Sequence, residues 1–487
     1  MLIERPNADL LSSRTKQSVK WAYALLILKH AVTFLTMMIV ARTVSPHETG
    51  LANIMVTFIS FLVLLDLGVS WITVQEDIIT EKVVSNLFWI GAIVGGGVYF
   101  ICVILSSYIA EIYGYSELKL IIIIGALSPF LNSLSTQFSS VLKRKMLQKK
   151  NNIIDTFSFV ISSICSIILA VNGYGYWAII FQLVIFQLLR FILLIKNKDF
   201  KISIPSLDHD VFRLYFKGLS SSLNNYITFF QLYGGTLLIS YFYSPEKLAY
   251  YLKASGLKSL PTAYICMVLT DIMISSLAAI NINKNKEEFE KIYHNALFKI
   301  SIIACPLSAF LFPLSSEAVM FFYGKNWGES VSLLQVMSII GVMLPLSTSI
   351  IWLYISTGNY RYQLKINLFL TFISLFIYLF IYIKFMSYEN IIYAEIFIYA
   401  VLIPLVTLIH SHFILNISLI KTFFIYASIL ISSVISSVII YYLFIYFDLK
   451  INFIIIALLK VFFGLSLYFS FFWMLFWRRL RRVLYVE

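Results

Sequence analysis

Charge is short in this 487-residue chain: 13% of its residues are Asp, Glu, Lys or Arg, against about 25% in an ordinary soluble domain. That shortage excludes a soluble globular protein. Cysteine is scarce as well. Cys102, Cys165, Cys266 and Cys305 all fall inside apolar runs without Cys-x-x-Cys spacing, so they read as small buried hydrophobes and not as a disulfide set or metal site. The sequence has no Walker A loop, no nucleophile–base pair at convincing spacing and no metal-ligand set. His410 and His412 have no acidic or cysteine partner at metal spacing, which argues against a metal there. The expectation is a protein without catalytic residues, metal or cofactor. Polar segments are short, so no stretch is left for a soluble domain. The N-terminus lacks a small-residue cleavage site and its first apolar run is too long for a signal peptide, so that run is expected to stay as the first membrane span.

Apolar residues fill the space that charge leaves. Sixty per cent of the chain is hydrophobic, with 42 Phe and 31 Tyr, and the mean hydropathy is +0.87. This is the composition of a multi-pass membrane protein with aromatic girdles at the lipid interfaces. Runs long enough to cross a bilayer lie near 19–42, 49–73, 84–110, 118–141, 153–172, 175–195, 214–242 and 247–278. Others lie near 296–322, 330–356, 364–385, 390–415, 420–446 and 451–477. The expected fold is all-α, with about fourteen transmembrane helices at the usual 17–25 residues each.

Net charge is +13 and the pI about 9.3. In a soluble protein that would suggest nucleic acid; here the cations alternate with the spans, and no nucleic-acid partner is expected. With both termini cytoplasmic, the inner segments collect Lys143, Arg144, Lys145, Lys149 and Lys150, then Lys196, Lys198 and Lys201, and finally Arg478, Arg479, Arg481 and Arg482. Outer turns keep isolated cations such as Arg42, Lys119, Lys247 and Lys325. Inner cations outnumber outer ones by roughly three or four to one, as the positive-inside rule requires.

The stretch ARTVSPHETGLANIMVTFISFLVLLDLGVSWITVQ, Ala41 to Gln75, is the hinge of the leading helical hairpin. Its Ser45-Pro46 is echoed by Ser244-Pro245 after the seventh run, an echo that splits the first twelve helices into two sixes. Such repeats place a substrate site where the halves meet. The expected organisation is a six-helix lobe over 1–205, a second over 206–415, and two further helices with a basic tail over 416–487.

This stretch closely resembles the N-terminal signature of the bacterial polysaccharide transporter (flippase) family, within the multidrug/oligosaccharidyl-lipid/polysaccharide exporter superfamily. Further likeness lies in Asn86-Leu87-Phe88-Trp89, VLKRKMLQKKN (Val141 to Asn151), NGYGYWAI (Asn172 to Ile179), YYLKASGLKSLP (Tyr250 to Pro261) and FFYGKNWGES (Phe321 to Ser330). It fades beyond about residue 360, where only hydrophobicity speaks. The resemblance implies a V-shaped, two-lobed bundle in the bacterial inner membrane. It further implies a central cavity that carries a polyprenyl-diphosphate-linked oligosaccharide from the inner to the outer leaflet by alternating access. Membrane lipids, and a polysaccharide polymerase with its chain-length machinery, are the implied partners. Energy would come from an H+ or Na+ gradient, the membrane potential or the substrate gradient, among which the sequence does not choose.

Ionisable groups inside a bilayer are costly and therefore functional candidates. Lys29, Thr33 and Thr36 share one face of the first helix, and Lys217, Ser221, Asn224, Thr228, Gln231 and Gly235 run along the seventh. Each stripe carries a cation and reads as cavity lining. The fourth-helix stripe of Ser128, Asn132, Ser135 and Ser139 has no charge and reads as a packing surface. Lys253 and Lys258 stand about 140° apart around the eighth helix: one can bind the diphosphate while the other snorkels or meets an anion, and Lys258 is the choice for the substrate. The expected substrate residues are thus Lys29, Thr33, Lys217, Asn224, Thr228, Gln231, Lys253 and Lys258. Asp66 and Asp271, near inner helix ends, either close a cytoplasmic gate or mark the interface. Arg190 can snorkel, and Glu395 stands alone in its run without an assignment. A cation antiporter of the same superfamily would want an acidic cavity, but embedded Lys outnumbers embedded acid. A polymerase or ligase would want a sizeable outer loop, and none is present.

Overall fold

A computed structural model describes residues 3, 8–64, 67–198, 200–205, 213–214, 223–280, 282, 285–447 and 452–477. The first helices are α1 (Ala8–Thr43), α2 (Pro46–Leu64), α3 (Leu67–Gln75), α4 (Glu81–Tyr113), α5 (Glu117–Gly125), α6 (Leu127–Arg144), α7 (Gln148–Val171) and α8 (Trp177–Lys196). Then come α9 (Leu223–Phe242), α10 (Pro245–Ala278), α11 (Lys286–Ala309), α12 (Leu311–Phe322), α13 (Glu329–Ser356) and α14 (Tyr360–Phe385). The last are α15 (Tyr388–Ile396), α16 (Ile403–Leu415), α17 (Leu419–Phe447) and α18 (Phe453–Phe472). Eleven described helical segments are long and apolar enough to cross a membrane, or twelve if the bent pair α11–α12 counts as one span. The fold is therefore all-helical and multi-pass. α9 and α10 are not among the eleven; they hold many of the polar residues singled out above.

Local chemistry explains the helix ends and breaks. Ser45 caps α2: its hydroxyl accepts from the Glu48 N–H at 3.3 Å, and Glu48 Oε2 accepts from the Ser45 N–H at 3.1 Å. This is a capping box, with Pro46 in the first-turn position where its missing N–H costs nothing. Pro129 is the third residue of α6 and Pro313 the third of α12. Each lacks the N–H that would bond the carbonyl four residues back, at Gly125 and Ala309, which are the last residues of α5 and α11. At the second break the chain turns by 64°. Pro404 likewise denies a bond to Ala400, inside the π-helical segment Phe397–Leu402 that joins α15 to α16.

The chain divides into two compact units, Met1–Phe229 with Ser240–Ala249, and Phe230–Ile239 with Tyr250–Glu487. In the first, α7 packs along α1 and α8, while α6 lies against α3, α4 and α8. Val84, Leu87 and Phe88 of α4 meet Phe138, Val141 and Leu142 of α6 in its core. Buried Arg144 ties the ends of α3 and α6 together. Its Nε donates to the Ile3 carbonyl at 2.7 Å, and its terminal nitrogens donate to the carbonyls of Thr73, Glu76 and Asp77 at 3.1, 2.5 and 2.9 Å. Four carbonyl acceptors satisfy a cation that burial would otherwise penalise.

In the second unit α11 packs against α13 and α17, and α17 against α18. Tyr293, Leu297 and Ile300 of α11 meet Trp352 and Leu353 of α13 and Ile425 and Ile429 of α17. The hydroxyls of Ser432, Ser433 and Ser436 bond their own helix one turn back, so this face of α17 behaves as a small-residue packing surface. Lys460 of α18 donates to Glu317 Oε1 at 2.6 Å and to the Pro313 carbonyl at 2.7 Å, both on α12.

Candidate functional site

Each unit holds an ion pair between its helices. In the first, Asn132 and Ser139 lie seven apart on α6, Asn151 and Asp155 four apart on α7, and Gln187 and Arg190 three apart on α8, so each pair shares a helix face. Arg190 donates from Nε to Asp155 Oδ1 at 2.7 Å, from Nη1 to Asn132 Oδ1 at 3.2 Å and from Nη2 to Ser139 Oγ at 3.4 Å. Ser139 donates to Asn151 Oδ1 at 2.9 Å, and Asn151 returns a long bond of 3.4 Å to Asp155 Oδ2. The network is a closed ring in which both carboxylate oxygens have donors. Arg190 therefore bonds inward, and Asn132 and Ser139 do more than pack.

In the second unit, Lys258 Nζ of α10 lies 3.0 Å from Glu395 Oε1 of α15. The two residues are 7% and 3% exposed. Glu395 Oε2 is buried and has no hydrogen-bond partner, and the same holds for Thr262 Oγ1, one turn beyond Lys258. All three residues line a cavity of about 320 Å³ with walls from α9, α10, α13 and the α15–π segment. Glycines let the neighbouring helices pack closely around it. A Cβ on Gly341 of α13 would lie 3.1 Å from the Lys258 carbonyl, and one on Gly235 of α9 would lie 3.3 Å from the Tyr378 hydroxyl. Tyr399, in the π-helical segment, donates to the Gln231 carbonyl at 2.5 Å.

The other expected substrate residues fare differently. Lys29 Nζ sits 5.2 Å from the Phe159 ring centroid and 6.0 Å from that of Phe186, and no described carboxylate pairs with it. Thr33 and Thr36 donate to their own helix, to the carbonyls of Lys29 and Val32, both at 2.8 Å. Lys253 rests on Tyr323 and Trp327, 4.9 and 5.0 Å from their centroids. Burial pushes the Tyr323 hydroxyl above its ordinary pKa. The two lysines of α10 thus part as their angular separation requires, one to an acid and one to aromatic faces. Thr228 lies on α9 in the first unit, and Gln231, buried, in the second. Lys217 and Asp66 lie outside the described residues, as do the side chains of Asn224 and Asp271. The sequence reading missed Glu395 as the partner of Lys258 and Asp155 as the partner of Arg190. An acid inside an apolar run was the available signal.

The two Ser-Pro turns also meet, within the first unit. His47 Nδ1 lies 2.6 Å from Glu246 Oε1. A Cβ on Gly50 would fall 1.9 Å from the Pro245 carbonyl oxygen, so only glycine permits this approach. Tyr115, in the turn after α4, has its hydroxyl pKa pushed up by burial and by the Glu246 carboxylate. Among the described residues no group of three His, Cys, Asp or Glu could hold a metal ion.

Residues 39–332 match the family described as polysaccharide biosynthesis protein. The lipopolysaccharide biosynthesis protein WzxC of Escherichia coli is 20% identical over 371 residues, covering 74% of each chain. The succinoglycan biosynthesis transport protein ExoT of Rhizobium meliloti is 21% identical over 325 residues, 66% of this chain and 65% of that protein. In fold, the chain is similar to the lipid II flippase MurJ in an inward closed conformation. The TM-score is 0.67 at 14% identity, over 95% of this chain and 99% of that one. An inward-facing multidrug resistance MATE family transporter of the MOP superfamily gives a TM-score of 0.64 at 14% identity, over 82% and 99%.

Proposed function

Because this chain belongs to the polysaccharide biosynthesis protein family, we propose that it is a flippase. It moves a polyprenyl-diphosphate-linked oligosaccharide, a repeat unit of O-antigen, capsule or exopolysaccharide, from the inner to the outer leaflet of the bacterial cytoplasmic membrane by alternating access. The observation that carries this reading is the family match over more than half the chain; relatives named for polysaccharide biosynthesis and transport support it. Translocation breaks no covalent bond, so the reading calls for no catalytic residue and no cofactor, and ion-gradient coupling belongs to the same proposal. The full topology we propose is fourteen helices, two sets of six and a final two, with both termini cytoplasmic. A polymerase and chain-length proteins take the delivered unit.

The residues divide the labour by charge. A diphosphate needs a cation that no acid has already neutralised. Lys29 and Lys253 both rest on aromatic faces and not on a carboxylate; Lys29, which lies within an apolar span, is assigned to it, together with Lys217 of the seventh stripe. Hydroxyl and amide groups along Thr228 and Gln231 suit the glycan.

Deleting the gene in its native host tests the function. Surface glycan should disappear while lipid-linked glycan accumulates on the cytoplasmic leaflet, and a Lys29→Ala copy should fail to restore export although it inserts normally. Unchanged surface glycan in the deletion strain would refute the assignment.

A further inference from the structure

The cavity of the second unit holds both charges of an ion pair and two buried polar atoms that lack partners. Buried polar groups in folded proteins are almost always hydrogen-bonded, so two orphans facing one cavity mark a place where a bound ligand or ordered water supplies the missing bonds. Charge narrows what that ligand is. The Lys258 ammonium already neutralises Glu395, and a second cation placed against Oε2 would meet an ammonium bonded 3.0 Å from the other carboxylate oxygen. An anion placed against Lys258 would meet the carboxylate. A neutral molecule remains, one with an O–H to give to Glu395 Oε2 and an oxygen or O–H to engage Thr262 Oγ1. Tyr251 hydrogen-bonds the Glu395 carboxylate and leaves Oε2 without a partner, and it lines the cavity with Tyr233 and Tyr399. Aromatic walls with polar tips suit a ligand that has an apolar face and a hydroxylated edge. At about 320 Å³ the space is at the small end of ligand pockets, which run from about 300 to 1,000 Å³, and fits one ring in place of a whole oligosaccharide.

We propose that this cavity is a neutral saccharide subsite, in which one sugar ring donates a hydroxyl proton to Glu395 Oε2 and bonds Thr262 Oγ1. The inference rests on the flippase reading and deepens it: the diphosphate and the sugar are held by different residues, and Lys258 serves the sugar through Glu395. Glu395 and Lys258 fix each other's orientation, so the ring is recognised by an acceptor already in place. The π-helical segment that presents Tyr399 one turn after Glu395 belongs to the same recognition surface.

The test uses the purified full-length chain in nanodiscs. The probes are undecaprenyl diphosphate and the same lipid bearing a single N-acetylglucosamine, N-acetylgalactosamine, glucose, galactose or fucose, each titrated by native mass spectrometry. Wild type should bind at least one glycosylated carrier about tenfold more tightly than the bare diphosphate, the effect of one or two hydrogen bonds to charged or buried groups. Thr262→Val keeps the shape and the ion pair, and should cut that preference to within about twofold. Glu395→Gln, checked for folding by its thermal transition, should do the same. Equal binding of bare and glycosylated carriers by wild type, or an undiminished preference in Thr262→Val, overturns the subsite while leaving the flippase reading intact. Failure to bind any of the diphosphate lipids overturns the reading beneath it.

Discussion

The ion pairs of the two units make an instructive contrast. Arg190–Asp155 is the more exposed, with side chains 14% and 27% accessible, while Lys258 and Glu395 are 9% and 5%. Yet the more accessible pair has the richer set of partners, and the buried pair leaves a carboxylate oxygen without one. Guanidinium and ammonium differ in reach: Arg190 extends a planar fork to three acceptors at once, whereas Lys258 presents a compact charge to one. A closed network holds helices together. An open one in a cavity is prepared to hold something else. Gln187 Oε1 is the one orphan among the network residues of the first unit, and it accompanies an amide that still donates to Asn132.

The contrast can be broken most sharply at Glu395. Glu395→Ala should leave Lys258 charged, buried and alone, at a cost of about 3–5 kcal/mol, read as a large fall in the thermal transition in detergent. The paired change Lys258→Met with Glu395→Leu should recover most of it, because an apolar pair of similar volume replaces a buried ion pair without penalty. Arg190→Ala should cost less, about 1.5–3 kcal/mol, since Asp155 keeps some access to solvent and one bond from Asn151. Asn132→Ala should cost roughly 1 kcal/mol by removing an acceptor shared by Arg190 and Gln187. Thr262→Val should be the mildest, within about 0.5 kcal/mol of wild type, because its hydroxyl gives up no bond. A substantial loss of stability in Thr262→Val would erase the distinction between the two clusters.

How far the sequence announces these features depends on the distance over which they are encoded. Helical spans are written locally, in uninterrupted apolar runs, and helical residues occupy each of the fourteen stretches. The breaks at Pro129 and Pro313 are local too, since one missing N–H acts four residues away. The divergence of Lys253 and Lys258 follows from helical geometry alone. Their partners do not. Glu395 is 137 positions from Lys258, and an acid in an apolar run says that it needs a partner without saying which. The α6 stripe shows the same limit. Ser135 spends its hydroxyl on the Leu131 carbonyl, as a packing surface would, while Asn132 and Ser139 on the same helix face a guanidinium whose arrival no local pattern records.

The junction of the two Ser-Pro turns has a consequence for assembly order. The His47–Glu246 contact closes a span of 199 positions, and Ser240–Ala249 belong to the first unit. During synthesis at about 5–20 residues per second, position 246 follows position 47 by roughly 10–40 seconds. Through that interval the beginning of α2 is kept in shape by what it carries itself, the reciprocal Ser45–Glu48 cap, with Gly50 uncovered. The first unit is thus finished late: a nascent chain halted after its sixth apolar run would have α1 to α8 but not the parts of α9 and α10 that complete this unit.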